Sequence, residues 1–172
     1  MLENRTMIKL CGMTRREDVV YAVNMGVDAL GFILAESPRQ VDLDSVGDLC
    51  YNLPPFISRV AVVVNPEPEK IIAIEKSGLF DYIQFHGSEE PELLADTVLK
   101  SIKAISIADQ NDLAEVEKYK DSASFILFMT TIPGQSGGIF AEENFQKIRE
   151  FRSLYPNKKI HVDGGVNDEV SF

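Results

Sequence analysis

The chain has 172 residues, a hydrophobic fraction of 45%, a mean hydropathy of -0.04 and a formal net charge of -10. The length suits one domain with a substantial core, and the composition is that of an ordinary globular protein. The acidic balance argues against nucleic acid and anionic membrane as main partners, but leaves room for a phosphorylated small molecule, because backbone N–H groups bind phosphate on an acidic protein too.

In chain order, the start MLENRTMIKLCG has neither the charged n-region nor the long apolar stretch of a secretory signal. No apolar run approaches the roughly 18 residues of a membrane span. Two cysteines do not make a disulfide framework, so a reducing cytoplasm is expected. Short apolar runs follow at 8–12 (IKLCG), 29–34 (ALGFIL), 59–64 (RVAVVV), 82–87 (YIQFHG), 102–107 (IKAISI), 125–130 (FILFMT) and 159–165 (KIHVDGG). Each has strand length and near-continuous apolarity, the texture of parallel strands buried on both faces.

Amphipathic stretches separate these runs. Thr14 and Glu17 predict a capping box ahead of VVYAV, and Gly26 stands where that helix should stop. Ser88 is the expected N-cap of SEEPELLA, residues 141–155 alternate charged and apolar faces, and Asn167 is placed to cap a last helix. GVDALGFIL and GLFDYIQF repeat one helix-to-strand junction. Strands alternating with helices imply right-handed βαβ crossovers and a parallel sheet. No linker or low-complexity segment interrupts the pattern, so residues 1–172 read as a single domain.

The pattern holds seven strands and six full helices. A closed TIM (β/α)8 barrel needs eight strands, so the expected fold is such an α/β barrel with its eighth βα unit missing from the chain; an open doubly wound sheet is the alternative.

The motifs CGMTR (11–15), SPRQV (37–41) and QFHG (84–87), with RVAVVVNPE (59–67) and KAI (103–105), resemble the phosphoribosylanthranilate isomerase family of tryptophan biosynthesis. The resemblance implies a TIM barrel that performs an Amadori rearrangement without metal or cofactor. The last third, 128–167, looks more like ribulose-phosphate 3-epimerase, through FMTTIPGQSGG and VDGG. The isomerase family carries a catalytic aspartate four residues before the proline of that loop, and this chain has Met129 there.

Under that resemblance Cys11, at the end of the first strand, is the base that removes the sugar C2′ proton; read alone, it is a small buried hydrophobe. Cys50 is expected in helix core. Asp163 is expected to replace the acid absent at Met129, with an Asx-type turn contact as the structural alternative. Arg39 offers a planar fork to a carboxylate such as that of anthranilate, or forms a surface salt bridge. His86 lines the site or caps a turn. Lys9, two residues from Cys11, is expected to point inward and to need a carboxylate partner. Phosphate is expected over Gly137, Gly138, Gly164 and Gly165. The epimerase's metal ligands are missing from the second and third strands, and His86 with Asp163 alone makes a poor metal site.

The expected function is therefore phosphoribosylanthranilate isomerase, with a phosphorylated small molecule as partner and no cofactor. Two rivals remain: a metal-free phosphosugar epimerase or isomerase, and a phosphosugar-binding barrel without catalysis.

Overall fold

The computed structural model describes residues 6–107, 112–131 and 143–167. Within these, strands and helices alternate in the order β1 (Lys9–Cys11), α1 (Arg16–Asn24), β2 (Ala29–Ile33), α2 (Leu43–Leu49), β3 (Ser58–Val63), α3 (Pro68–Ser77), β4 (Tyr82–Phe85), α4 (Pro91–Ala95), β5 (Lys100–Ser106), α5 (Asp112–Tyr119), β6 (Phe125–Met129), α6 (Glu143–Leu154) and β7 (Lys159–Asp163). All seven expected strands and six helices are present. The fold is α/β with parallel strands, and no eighth strand occurs among the described residues. The chain divides into two compact units, one of residues 1–84 with 98–100 and one of 85–97 with 101–172.

In the first unit, β1 pairs in parallel with β2, with Cys11 opposite Gly31, and β2 pairs with β3 from Ala29↔Ser58 to Ile33↔Val62. The sheet's helix side is filled by Val19 and Ala22 of α1, Val46 of α2, and Ile71 and Ile74 of α3, all buried. Phe32 meets Phe80 edge-on, ring centroids 6.4 Å apart. Leu10 of β1 remains 41% exposed. β1 therefore lacks the tight apolar pattern of a doubly covered strand that β2 and β3 show.

In the second unit, β5 pairs with β6 and β6 with β7, both in parallel, ending in Ser106↔Met129 and Met129↔Asp163. Phe128 of β6 packs edge-on against Phe151 of α6 at 5.1 Å. Such an aromatic pair adds about 0.5–1.5 kcal/mol to its area burial.

Two caps differ from expectation. Helix α1 begins at Arg16, its N-cap is Arg15, and no side chain caps it. The Thr14–Glu17 box does not form because the N–H groups of Gly12 and Met13 are both tied to the Gly31 carbonyl, which delays the helix start. Arg15 and Asp18 close the first turn with a bidentate ion pair at 2.8 Å instead. Ser88 is not the cap of α4. Pro91 occupies the first turn, as its fixed φ favours, and Glu90 is the N-cap. Helix α6 falls inside the expected 141–155 stretch, and Gly26 follows the last turn of α1 with a left-handed φ of 83°. The last helix expected after Asn167 lies outside the described residues.

Candidate active site at the strand carboxyl ends

The first unit builds a compact arrangement around Cys11. The thiol is half-buried and unpaired with any disulfide partner. It packs over Gly31 so closely that a Cβ on Gly31 would lie 2.6 Å from Sγ. The next residue, Gly12, has φ 86°, and the Arg39 guanidinium covers it: a Cβ there would lie 2.5 Å from Nη1. Glycine is thus required at Gly12 twice, by its left-handed backbone and by the close approach of an arginine.

Arg39 Nη1 donates to the Cys11 carbonyl at 3.2 Å. The loop that carries it is folded back on β2, with Val41 N bonded to Ile33 O at 2.9 Å and Arg39 N bonded to Ser37 Oγ at 3.1 Å. No described carboxylate pairs with Arg39, so a surface salt bridge is not what holds it, and the residue is exposed. An exposed planar fork beside the Cys11 backbone suits an anionic group of a bound molecule.

Lys9 is half-buried rather than enclosed. On the short strand β1 it does not need the carboxylate partner expected from sequence. A groove of about 510 Å³ opens at the carboxyl ends of β2 and β3, lined by residues that include Glu36, Asn65, Glu67 and Lys70. Cys50 is the C-cap of α2, half-buried rather than helix core, and burial pushes its thiol pKa up.

The second unit carries the acid candidate. Asp163 ends β7 in register with Met129. Registered neighbours on adjacent strands share a face and lie about 4.8 Å apart. A carboxylate on Asp163 therefore stands one strand away from, and level with, the Met129 side chain. No described residue donates a hydrogen bond to that carboxylate, so the Asx-type turn contact is not formed among them.

The backbone around Asp163 is firmly held. Thr130 N donates to Asp163 O at 2.8 Å and Thr130 Oγ1 to the same oxygen at 3.0 Å, with a further bond to Gly164 O. Asn144, buried in α6, donates Nδ2 to the Thr130 carbonyl at 3.2 Å. Gly164 has φ 105°, and a Cβ there would meet Thr131 Oγ1 at 2.5 Å. Gly165 also has a positive φ, 67°, so the chain bends after β7 through two backbone conformations that favour glycine. Gly137 and Gly138, the other expected phosphate contacts, lie outside the described residues.

His86 is half-buried directly after β4, and His161 lies on the face of β7 shared with Asp163, its ring 5.0 Å from that of Phe125. Among the described residues no group of three or more His, Cys, Asp or Glu side chains is gathered for a metal ion, and no helix is long and apolar enough to cross a membrane.

Sequence reasoning missed the most enclosed polar pair of the second unit. Lys103 of β5 and Glu89 lie 3.1 Å apart with side chains 0% and 1% exposed. The available signal was a lysine inside the otherwise apolar run IKAIS, which a strand buried on both faces tolerates only with a partner. Tyr119 completes the group, donating its hydroxyl to Glu89 O at 2.7 Å. Burial raises its pKa, which keeps it a donor.

Seven parallel strands alternating with six helices are the architecture of the βα-barrel-like class of proteins. The family model for N-(5'-phosphoribosyl)anthranilate (PRA) isomerase matches residues 8–170. The chain belongs to that family. The match runs through 128–167 as well, which corrects the expectation that the last third takes after the epimerase.

The N-(5'-phosphoribosyl)anthranilate isomerase of Petrotoga mobilis is 50% identical over 162 residues, covering 94% of this chain and 77% of that protein. That of Moorella thermoacetica is 32% identical, covering 94% and 71%. Among solved structures, the phosphoribosyl anthranilate isomerase of Thermotoga maritima superposes with a TM-score of 0.85 at 31% identity, over 96% of this chain and 80% of that one.

Proposed function

We propose that the chain isomerises N-(5'-phosphoribosyl)anthranilate to 1-(2-carboxyphenylamino)-1-deoxyribulose 5-phosphate, with Cys11 as base and Asp163 as acid. The activity follows from membership of the isomerase family in tryptophan biosynthesis. The residue roles rest on chemistry. Asp163 in its acid form protonates the furanose oxygen, the ring C–O bond breaks and the anilino nitrogen forms a Schiff base at C1′. The Cys11 thiolate then takes the C2′ proton, leaving an enolamine that tautomerises to the aminoketose. Each step moves one proton and needs no oxidant, metal or cofactor.

Arg39 receives the anthranilate carboxylate, Gly164 and Gly165 the phosphate together with Gly137 and Gly138, and His86 lines the substrate. The observation that carries this reading is the seating of the Arg39 guanidinium over Gly12, bonded to the Cys11 carbonyl. It puts an anion-binding fork with no described carboxylate partner next to Cys11. The register of Asp163 with Met129 supports moving the acid one strand over.

The test follows substrate fluorescence with wild type, Cys11→Ala and Asp163→Asn. Turnover lost in both variants supports the assignment. Loss in Cys11→Ala alone removes Asp163 from it. The second reading, a binding protein, is favoured by Met129 at the family's acid position; it wins if wild type binds the substrate and does not turn it over.

A further inference from the structure

The loop between β4 and α4 is held by buried charge. The Gly87 N–H donates to both Glu89 carboxylate oxygens, at 3.0 and 3.1 Å. The Gly87 carbonyl accepts from Lys103 Nζ. Lys103 spends its remaining donors on Glu89 Oε2 at 3.1 Å and on the face of Tyr119, whose ring centroid is 5.1 Å away. Lys118 of α5 pairs with Glu90 at 3.1 Å on the surface, and its Nζ also stands 5.4 Å from the Tyr119 ring centroid.

A fully buried ion pair pays for its desolvation only when geometry is good, and two apolar side chains of like volume would close the same space as well or better. Stability therefore does not explain why a lysine and a glutamate stand here. What apolar side chains cannot do is grip a backbone. This pair takes both polar groups of Gly87, the residue directly after His86.

We infer that Lys103 and Glu89 are a positioning pair: by clamping Gly87 they set the orientation in which His86 is presented at the end of β4 to the phosphorylated substrate. The pair touches no reacting atom and acts through His86. The inference rests on the isomerase reading for its effect on turnover, and on geometry alone for its effect on His86.

The chain has two histidines, so a ring proton–carbon NMR spectrum gives two Cε1–H signals, assigned with His86→Asn. The test variant is Lys103→Met with Glu89→Met, which removes both charges at nearly constant volume; circular dichroism checks that it melts cooperatively. The expected result is a His86 signal shifted toward its unfolded position with His161 unmoved. The accompanying loss in kcat/KM is about 10–100-fold, the scale of a misplaced contact group. In the His86→Asn background the same pair of changes should cost less than about twofold more, since groups acting as one unit are not additive.

An unmoved His86 signal in the folded variant overturns the inference, as does a loss that adds fully to that of His86→Asn. If the double variant fails to fold, Tyr119→Phe removes only the hydroxyl donor to Glu89 O; a smaller shift of the same His86 signal supports the clamp, and no shift overturns it. Wild type without turnover sinks the isomerase reading, while the His86 signal still decides the clamp.

Discussion

Replacing Gly31 by alanine tests the geometry around Cys11 without touching the thiol's chemistry. The added Cβ would stand 2.6 Å from Cys11 Sγ and 3.2 Å from both Cys11 Cα and Cβ. Ordinary contact needs about 3.5–4.0 Å, so the sulfur must move by about 1 Å. Rotation about the Cys11 side chain relieves only the sulfur; the Cα is fixed by the β1–β2 register and by the Gly12 and Met13 bonds to Gly31 O. Overpacking of this kind costs about 1–3 kcal/mol of stability, a fall in Tm of roughly 2–10 °C for a chain of this size. A base displaced by about 1 Å loses about 100-fold in kcat/KM, or about 2.7 kcal/mol of transition-state stabilisation. The assay is steady-state consumption of phosphoribosylanthranilate by fluorescence, with a thermal melt on the same sample. Turnover within about twofold of wild type at unchanged Tm would refute the placement of Cys11 as the working base.

Arg39→Lys keeps the charge but loses the fork, and should raise KM about tenfold or more with little change in kcat, as expected for a group that binds substrate and transition state alike; an unchanged KM removes Arg39 from substrate binding. Arg16 donates to the carbonyls of Asp48, Leu49 and Tyr51 at 3.1, 3.0 and 2.8 Å, closing the carboxyl end of α2 from α1. Arg16→Ala should cost about 1–2 kcal/mol by urea titration, a modest sum because the site is largely exposed. Burial raises the pKa of Cys50 above its ordinary value of about 8.5. The unfolded chain then loses that proton first, so the contribution is full below about pH 8.5 and is lost as pH rises through the folded value. Cys50→Ala should flatten the alkaline fall in urea midpoint between pH 8 and about 10; parallel curves for the two proteins would show that Cys50 contributes nothing there.

Strand and helix order was legible because the two textures differ in period and length. Seven apolar runs became β1 to β7 with boundaries within one or two residues. The motifs around Cys11, Arg39 and the histidine loop were legible because each is contiguous in the chain. Helix starts were less so. The Thr14–Glu17 spacing satisfies the local rule, yet two hydrogen bonds from the N–H groups of residues 12 and 13 to Gly31 O on the neighbouring strand hold that segment out of the helix. At α4 the proline at its first turn overrode Ser88.

What the sequence by itself determined is the alternating α/β pattern, the acidic surface and the identity of the chemical groups, since these depend on composition and neighbours a few residues away. Only the tertiary structure decided which of those groups meet. Cys11 and Arg39 are 28 residues apart and come together because β1 registers on β2 and the following loop folds back over Gly12. Asp163 arrives level with Met129 through the β6–β7 register, and Lys103 reaches Gly87 across a buried layer. Register and burial are sums over many distant contacts, and no local spacing encodes them.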